Sequence, residues 1–143
     1  MPIWKQSLTP EQINAEWRNT MMATIGIRVS DIGDDYVCGT MPVDARTHQP
    51  YGLLHGGASV ALAETLGSLA GALTVDPAVA AVVGLDINAN HVRAVKSGIV
   101  TGTARALHIG RGTQVWEIRI EDETRRLVCI SRLTLAVLPR TAV

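Results

Sequence analysis

The chain has 143 residues, 47% of them hydrophobic and 18% charged, and its 13 basic side chains balance 13 acidic ones to a formal net charge of zero. That length and apolar content suit one domain, residues 1–143, with a real core; they exclude disorder, and without a Lys/Arg-rich run the electrostatic footprint of a nucleic-acid binder is missing. Aromatic residues make up only 3% and Phe is absent, so the core must be built from aliphatic and small side chains with backbones packed closely.

The N-terminal residues Met1 to Ser7 show neither an apolar signal-peptide core nor a cleavage motif, which predicts a cytoplasmic protein. Thr9-Pro10-Glu11-Gln12 signals the first helix: Thr9 suits the cap, Pro10 the first helical position and Gln12 a capping box, and the helix is expected to reach about Arg18. From Ile25 to Val43 the pattern is that of a strand hairpin. Ile25, Ile27 and Val29 alternate with Gly26, Arg28 and Ser30, and Gly33-Asp34-Asp35 makes the turn into Tyr36 to Val43. Asp44 to Leu54 holds Pro50 and Gly52 and no periodic apolar face, so it reads as a loop.

One long helix follows, from about Gly57 to Thr74, apolar nearly all round and therefore expected to be buried on most sides. Its hydrophobicity raises the question of a membrane span. Glu64 at its centre argues against one, since a charge at mid-bilayer costs at least ~2.5 kcal/mol, and no basic flank sets an orientation. After Asp76-Pro77 four strands are expected. Val83, Leu85, Ile87 and Ala89 share one face of the first; Ile99 to Leu107, Thr113 to Glu121 and Leu127 to Leu138 are the others, in an antiparallel meander joined mostly by short turns. Cys38 and Cys129 fall inside strand patterns and not in a metal-binding pair, which predicts reduced structural thiols and no metal site. One very apolar helix followed by a long antiparallel run points to an α+β fold with the sheet curled around the helix.

Glu64 is the chemical outlier. No Lys or Arg occurs between Arg46 and Arg93, so no local ion pair neutralises it, and a carboxylate in a buried helix is costly unless paired or functional. Ser68, one turn on, shares its face. His55-Gly56-Gly57 precedes that helix, where backbone N–H groups lack intrahelical partners and carry partial positive charge, a serviceable oxyanion hole. Gln49 is a candidate side-chain donor to the same oxygen. His91, on the parity of Val83 and Leu85, is expected to point toward the helix, as a catalytic group or a satisfied core histidine. Arg93, His108 and Arg111 are candidates for phosphates or plain surface side chains. No GxSxG elbow, Walker A loop or GxGxxG motif is present.

The run Gln49-Pro-Tyr-Gly-Leu-Leu-His55-Gly-Gly-Ala-Ser-Val-Ala-Leu-Ala-Glu64-Thr-Leu-Gly-Ser68 resembles the hotdog-fold acyl-CoA thioesterases, in their aroyl-CoA and phenylacetate-pathway branch. The likeness continues through Ile3-Trp4-Lys5, Met41-Pro42-Val43-Asp44, Asn88-Ala89-Asn90-His91 and Leu107-His108-Ile109-Gly110, and so covers nearly the whole chain. It implies a long helix wrapped by an antiparallel sheet, dimers paired into a homotetramer, and a site straddling the dimer interface. It also implies an acyl-CoA substrate, no separate cofactor since CoA belongs to the substrate, and no nucleic-acid or membrane partner. Carried onto this chain, Gln49 and the Gly56 N–H polarise the thioester carbonyl and His55 supports their loop. Glu64 of the other subunit attacks the carbonyl or activates water, Ser68 orients water or carboxylate, and His91 lies near the site. Arg93, His108, Gly110 and Arg111 would take the CoA part of the substrate. Tyr51 stands where the family's Phe is expected beside the acyl pocket. Alternative expectations are a proofreading thioesterase acting on mischarged acyl or aryl carrier protein, and a non-catalytic acyl-CoA-binding hotdog module. A hotdog hydratase fits less well, because the prolines of that pattern are missing around His55.

Overall fold

The computed structural model describes residues 1–143. Helix α1 (Pro10–Glu16) forms as the capping box dictates: Gln12 N–H donates to Thr9 Oγ1 at 3.2 Å, and Thr9 N–H donates to Gln12 Oε1 at 2.8 Å. A second short helix, α2 (Met21–Ile25), occupies the place where the strand was expected to begin. Gly26, with φ +81°, ends it in a left-handed cap. Gly26 N–H bonds Ala23 O and Ile27 N–H bonds Met22 O, closing the helix before the chain extends. The apparent alternation at Ile25 and Ile27 is thus a helix end followed by a strand start.

Strands β1 (Arg28–Ile32) and β2 (Tyr36–Pro42) form the expected hairpin, and helix α3 (Gly56–Leu73) follows. Strands β3 (Ala80–His91), β4 (Ile99–Ile109), β5 (Thr113–Glu121) and β6 (Leu127–Pro139) complete a six-stranded sheet. Its order is β1-β2-β4-β5-β6-β3, antiparallel throughout. Only β4, β5 and β6 are a meander. β3 does not pair with β4 as a four-stranded meander requires; it lies at the far edge, with Ala80 opposite Pro139 and His91 opposite Cys129. The link 92–98 is too long for a tight hairpin and is held elsewhere: Val92 N–H bonds Val128 O, and Val95 O accepts from Leu54 N–H.

A bulge between Gly84 and Asp86 breaks the alternation expected in β3. Leu85 is extruded and 61% exposed, while Val82 before the bulge and Ile87 and Ala89 after it pack on the core. The two sheet edges are treated differently. Asn14 of α1 donates to Val29 O and accepts from Val29 N–H, both at 2.9 Å, which blunts β1. The outer edge of β3 has no such cover.

α3 lies on the inner face of the sheet. Leu62, Ala63, Leu66, Ala70 and Leu73 are essentially inaccessible, within one core that includes Val37, Met41, Trp116, Ile118, Leu133 and Leu135. Each Leu, Ile, Val or Met side chain among them contributes about 1.5–3 kcal/mol by burial. The opposite face, with Ala61, Glu64, Thr65, Ser68 and Leu69, is only half-buried within the chain, so the helix is less enclosed than its composition suggested. The first residues seal its C-terminal end. Lys5 and Gln6 N–H donate to Leu73 O, Gln6 Nε2 donates to Ala72 O, and Trp4 stacks on Trp116 with ring centroids 6.3 Å apart. Both cysteines are free thiols, as expected, and burial pushes the Cys129 thiol above its ordinary pKa. No helix is long and apolar enough to cross a membrane.

Candidate active site

The segment read as an irregular loop is a small hairpin that delivers Gln49 to the start of α3. His48 bridges to Leu54, Gly52 N–H donates to Gln49 O at 2.9 Å, and Gly52 takes φ +74°, which a glycine adopts without strain. Thr47 is buried beneath it, its hydroxyl donating to Pro42 O at 2.8 Å while its carbonyl accepts from His55 N–H at 2.8 Å. A ring nitrogen of His48 meets Lys96 O at 2.8 Å. Gln49 N–H is taken by Leu53 O and its side-chain Oε1 accepts from Tyr51 N–H, so the amide NH₂ is the end with no partner in the chain.

Accounting for the first N–H groups of α3 singles out one. His55 is the N-cap, and its Nδ1 accepts from Gly57 N–H at 2.8 Å. Ala58 and Ser59 N–H both donate to His55 O. Gly56 N–H alone is left unpaired, at the positive end of the helix dipole. A side chain at Gly56 would have to displace His91, whose Nε2 lies 2.9 Å from where a Cβ would stand. His91 therefore does point at the helix, though at its first residue.

Gln49, Gly56 and His91 line a cavity of about 400 Å³ with Ser59, Arg93 and Val128, large enough for a small-molecule group. Arg93 is exposed at it. Ser59, buried and lining this cavity, escaped notice in the sequence because it looks like any small residue on an apolar helix.

Glu64 and Ser68 line a different cavity, also about 400 Å³, whose remaining walls are Trp17, Met21, Met22, Ala61, Thr65 and Leu69. Ala61, Thr65 and Ser68 are legible as helical neighbours of Glu64 at three or four residues' spacing. Met21 and Met22 were missed because the residues between the first helix and the strand expected from Ile25 carried no assigned element, and Trp17 because it read as an ordinary residue near the end of the first helix. The four ion pairs join Met1 to Asp34, Asp44 to Arg46, Asp35 to Arg105 and Asp122 to Arg126, and none involves Glu64. Nor does its carboxylate bond Ser68. It packs instead beside the open sheet edge, with Oε2 3.4 Å from the Cβ position of Gly84.

Along α3, Gly56 and Glu64 are eight residues apart, roughly 12 Å of axis. They open into separate cavities, so one chain holds the two halves of the sequence-derived constellation without joining them. His108, Gly110 and Arg111 are also apart from Arg93: they lie where β4 turns into β5, while the link carrying Arg93 enters the opposite end of β4, roughly 33 Å away along that strand. No three His, Cys, Asp or Glu side chains gather in a way that could hold a metal ion.

Comparison with known proteins gives this geometry a lineage. The thioesterase superfamily profile matches residues 51–129. The 1,4-dihydroxy-2-naphthoyl-CoA hydrolase of Escherichia coli strain K12 is 54% identical over 136 residues, covering 95% of this chain and 99% of that protein. The proofreading thioesterase EntH of Cronobacter sakazakii is likewise 54% identical, over 95% of this chain and 98% of its own. In structure, the thioesterase HI1161 of Haemophilus influenzae superposes with a TM-score of 0.94 at 51% identity, over 96% of each chain. With a helix in an antiparallel sheet, a profile match over more than half its length and full-length relatives above half identity, the chain belongs to the thioesterase superfamily and is a hotdog-fold thioester hydrolase.

Proposed function

We propose that this protein is a cytoplasmic enzyme that hydrolyses acyl-CoA, above all aroyl-CoA, to the free acid and CoA, with residues 1–143 as one catalytic domain completed by a second copy. The observation that carries the reading is the division of the site. The free Gly56 N–H and the Gln49 amide face one cavity, Glu64 faces another, and the uncovered β3 edge runs beside Glu64. Antiparallel pairing of two β3 edges sets the His91 end of one strand beside the Ala80 end of the other. That arrangement brings the donor cavity of one copy toward the Glu64 cavity of its neighbour. A homotetramer then forms as a pair of such dimers.

In this mechanism the thioester oxygen accepts hydrogen bonds from Gly56 N–H and Gln49 Nε2, which strengthen as negative charge develops on it. His55 fixes the loop through its bond from Gly57 N–H. Glu64 of the neighbouring copy adds to the carbonyl carbon or takes a proton from the water that adds, and Ser68 orients that carboxylate or water. The C–S bond breaks, the thiolate leaves as CoA and gains a proton, and one water is consumed per acid formed. His91 closes the back of the donor site. Arg93, with His108, Gly110 and Arg111 of a neighbouring copy, meets the CoA phosphates; no separate cofactor is needed.

Thiol release from benzoyl-, hydroxybenzoyl-, naphthoyl- and medium-chain acyl-CoA tests the reading. Wild type should turn over aroyl-CoA, and Glu64→Gln should lose about 100-fold or more in kcat while remaining folded. Equal activity in the two proteins would remove Glu64 from the mechanism. The 54% identity to a proofreading thioesterase favours a second reading, release of mischarged acyl groups from a carrier protein. A carrier-bound thioester hydrolysed faster than the same acyl-CoA would establish it. Binding of acyl-CoA with no thiol release from either substrate would leave a non-catalytic acyl-CoA-binding module.

A further inference from the structure

A third cavity, of about 440 Å³, is lined by Arg18, Arg28 and Arg46 together with Asn14, Trp17 and Thr40, and no acidic residue lines it. In a chain whose net charge is zero, three guanidinium groups facing one space are a local imbalance. Arg46 is partly engaged: its Nε and one terminal nitrogen donate to Asp44 at 3.1 and 2.7 Å. That contact holds the Asp44 carboxyl down at about 2, so the pair stays charged. Its other terminal nitrogen, Nη1, lies 3.0 Å from the Cβ position of Gly26, so the backbone there is bare where the guanidinium passes. Arg18 and Arg28 make no ion pair.

Of the polar groups around these arginines, one is engaged and one is a donor without an acceptor. Asn14 is spent at both ends on Val29. The indole N–H of Trp17 has no partner in the chain, unlike those of Trp4, which donates to Gly33 O, and Trp116, which donates to Gln114 Oε1. Planar guanidinium forks suit bidentate bonding to tetrahedral oxyanions, and each such charge-assisted bond is among the stronger a protein makes. Ala23, Ile27, Pro42, Ile99 and the Trp17 ring supply an apolar floor beside the charges.

We propose that this cavity is a binding site for a small phosphorylated molecule, with Arg18, Arg28 and Arg46 holding the phosphate and the apolar floor taking its body. It is separate from the thioester site, whose arginine is Arg93, and does not depend on that site's assignment. Trp17 is the common wall between this cavity and the one holding Glu64.

The test follows the three tryptophan indole N–H resonances of the full-length protein while inorganic phosphate is added at low ionic strength, with chloride of matched ionic strength as the control. A saturable shift of the Trp17 resonance is expected, with Trp4 and Trp116 unmoved. Arg18→Gln and Arg28→Gln should each weaken it about tenfold, the scale of one lost charge-assisted bond, and the double variant should abolish it. Both residues are exposed, so thermal unfolding should be unchanged. Arg93→Gln should leave the response intact. AMP binding more tightly than phosphate is expected and would assign the ligand to a nucleotide-like phosphate ester; equal affinity would show that the apolar floor takes no part and would overturn the proposed ligand class. A Trp17 response no different from chloride, one retained in the double variant, or one lost in Arg93→Gln would overturn the proposal.

Discussion

Gly56 has two properties that separate fold from chemistry. Its N–H is the one unpaired amide at the start of α3, and its missing side chain is what lets the His91 ring lie against the helix. Gly56→Ala should therefore divide two measurements. Alanine is the better helix former by roughly 0.5–1 kcal/mol, so thermal stability should hold or rise. The new methyl group stands 2.9 Å from His91 Nε2 and must displace the ring, and kcat for thiol release should fall about tenfold or more, a fraction of the ~100-fold or larger loss of a whole oxyanion donor. Parallel loss of stability and activity would make the residue structural instead. At this scale the sequence was informative wherever a residue type was unusual for its place: Glu64 in an apolar helix, two glycines after a histidine. It was silent on Trp17, Met21 and Ser59, whose types are ordinary and whose importance lies in what they face.

Helix α3 shows why element type was legible while element environment was only half so. Eighteen residues between His55 and Thr74, all but Glu64 apolar or small, leave little choice but a helix. Which of its faces meets the sheet is set by contacts that no periodicity reports when both faces are apolar. Gly67 is such a contact. A Cβ there would stand 2.6 Å from Leu133 Cδ2 and 3.3 Å from Ile118 Cδ1. Gly67→Ala gains about 1 kcal/mol of helix propensity but overpacks the helix–sheet seam, which typically costs ~1–3 kcal/mol. Urea unfolding should show a net loss of roughly 1 kcal/mol, with the midpoint lowered and the slope unchanged. A stabilised variant would mean that the seam opens without cost. The short α2 went unread for a related reason: five residues closed by a left-handed glycine carry no helical period, and Ile25, Ile27 and Val29 mimic a strand.

For the whole molecule, the decisive contrast is between the two sheet edges. β1 is stopped by the Asn14 side chain, whereas β3 offers twelve residues of unpaired edge with Leu85 extruded from its bulge. Leu85→Arg adds a charge to a position exposed in the single chain, so the fold of that chain should persist. If two β3 edges pair, light scattering on the eluting protein should show smaller assemblies, and thiol release should fall with them because the donor cavity loses its Glu64. An unchanged assembly with full activity would place the contact elsewhere and require Glu64 to act within its own chain.

The family was legible in the sequence only as a resemblance of motifs; the sequence alone also determined the types of the main elements, α1, α3 and the six strands, the antiparallel sheet around one helix, and the residues that are chemically out of place. Those are local or pairwise properties, carried by residue type, cap chemistry and periodicities of 2 and 3.6. Only the tertiary structure decided that β3 crosses to the far edge, that its bulge turns Leu85 outward, and that three arginines from the turn after α1, from β1 and from the segment after β2 line one cavity. It also decided that Gly56 and Glu64 open into different spaces. Each of these depends on where distant segments meet, and a strand pattern is the same whichever neighbour it pairs with, because backbone hydrogen bonds do not read sequence.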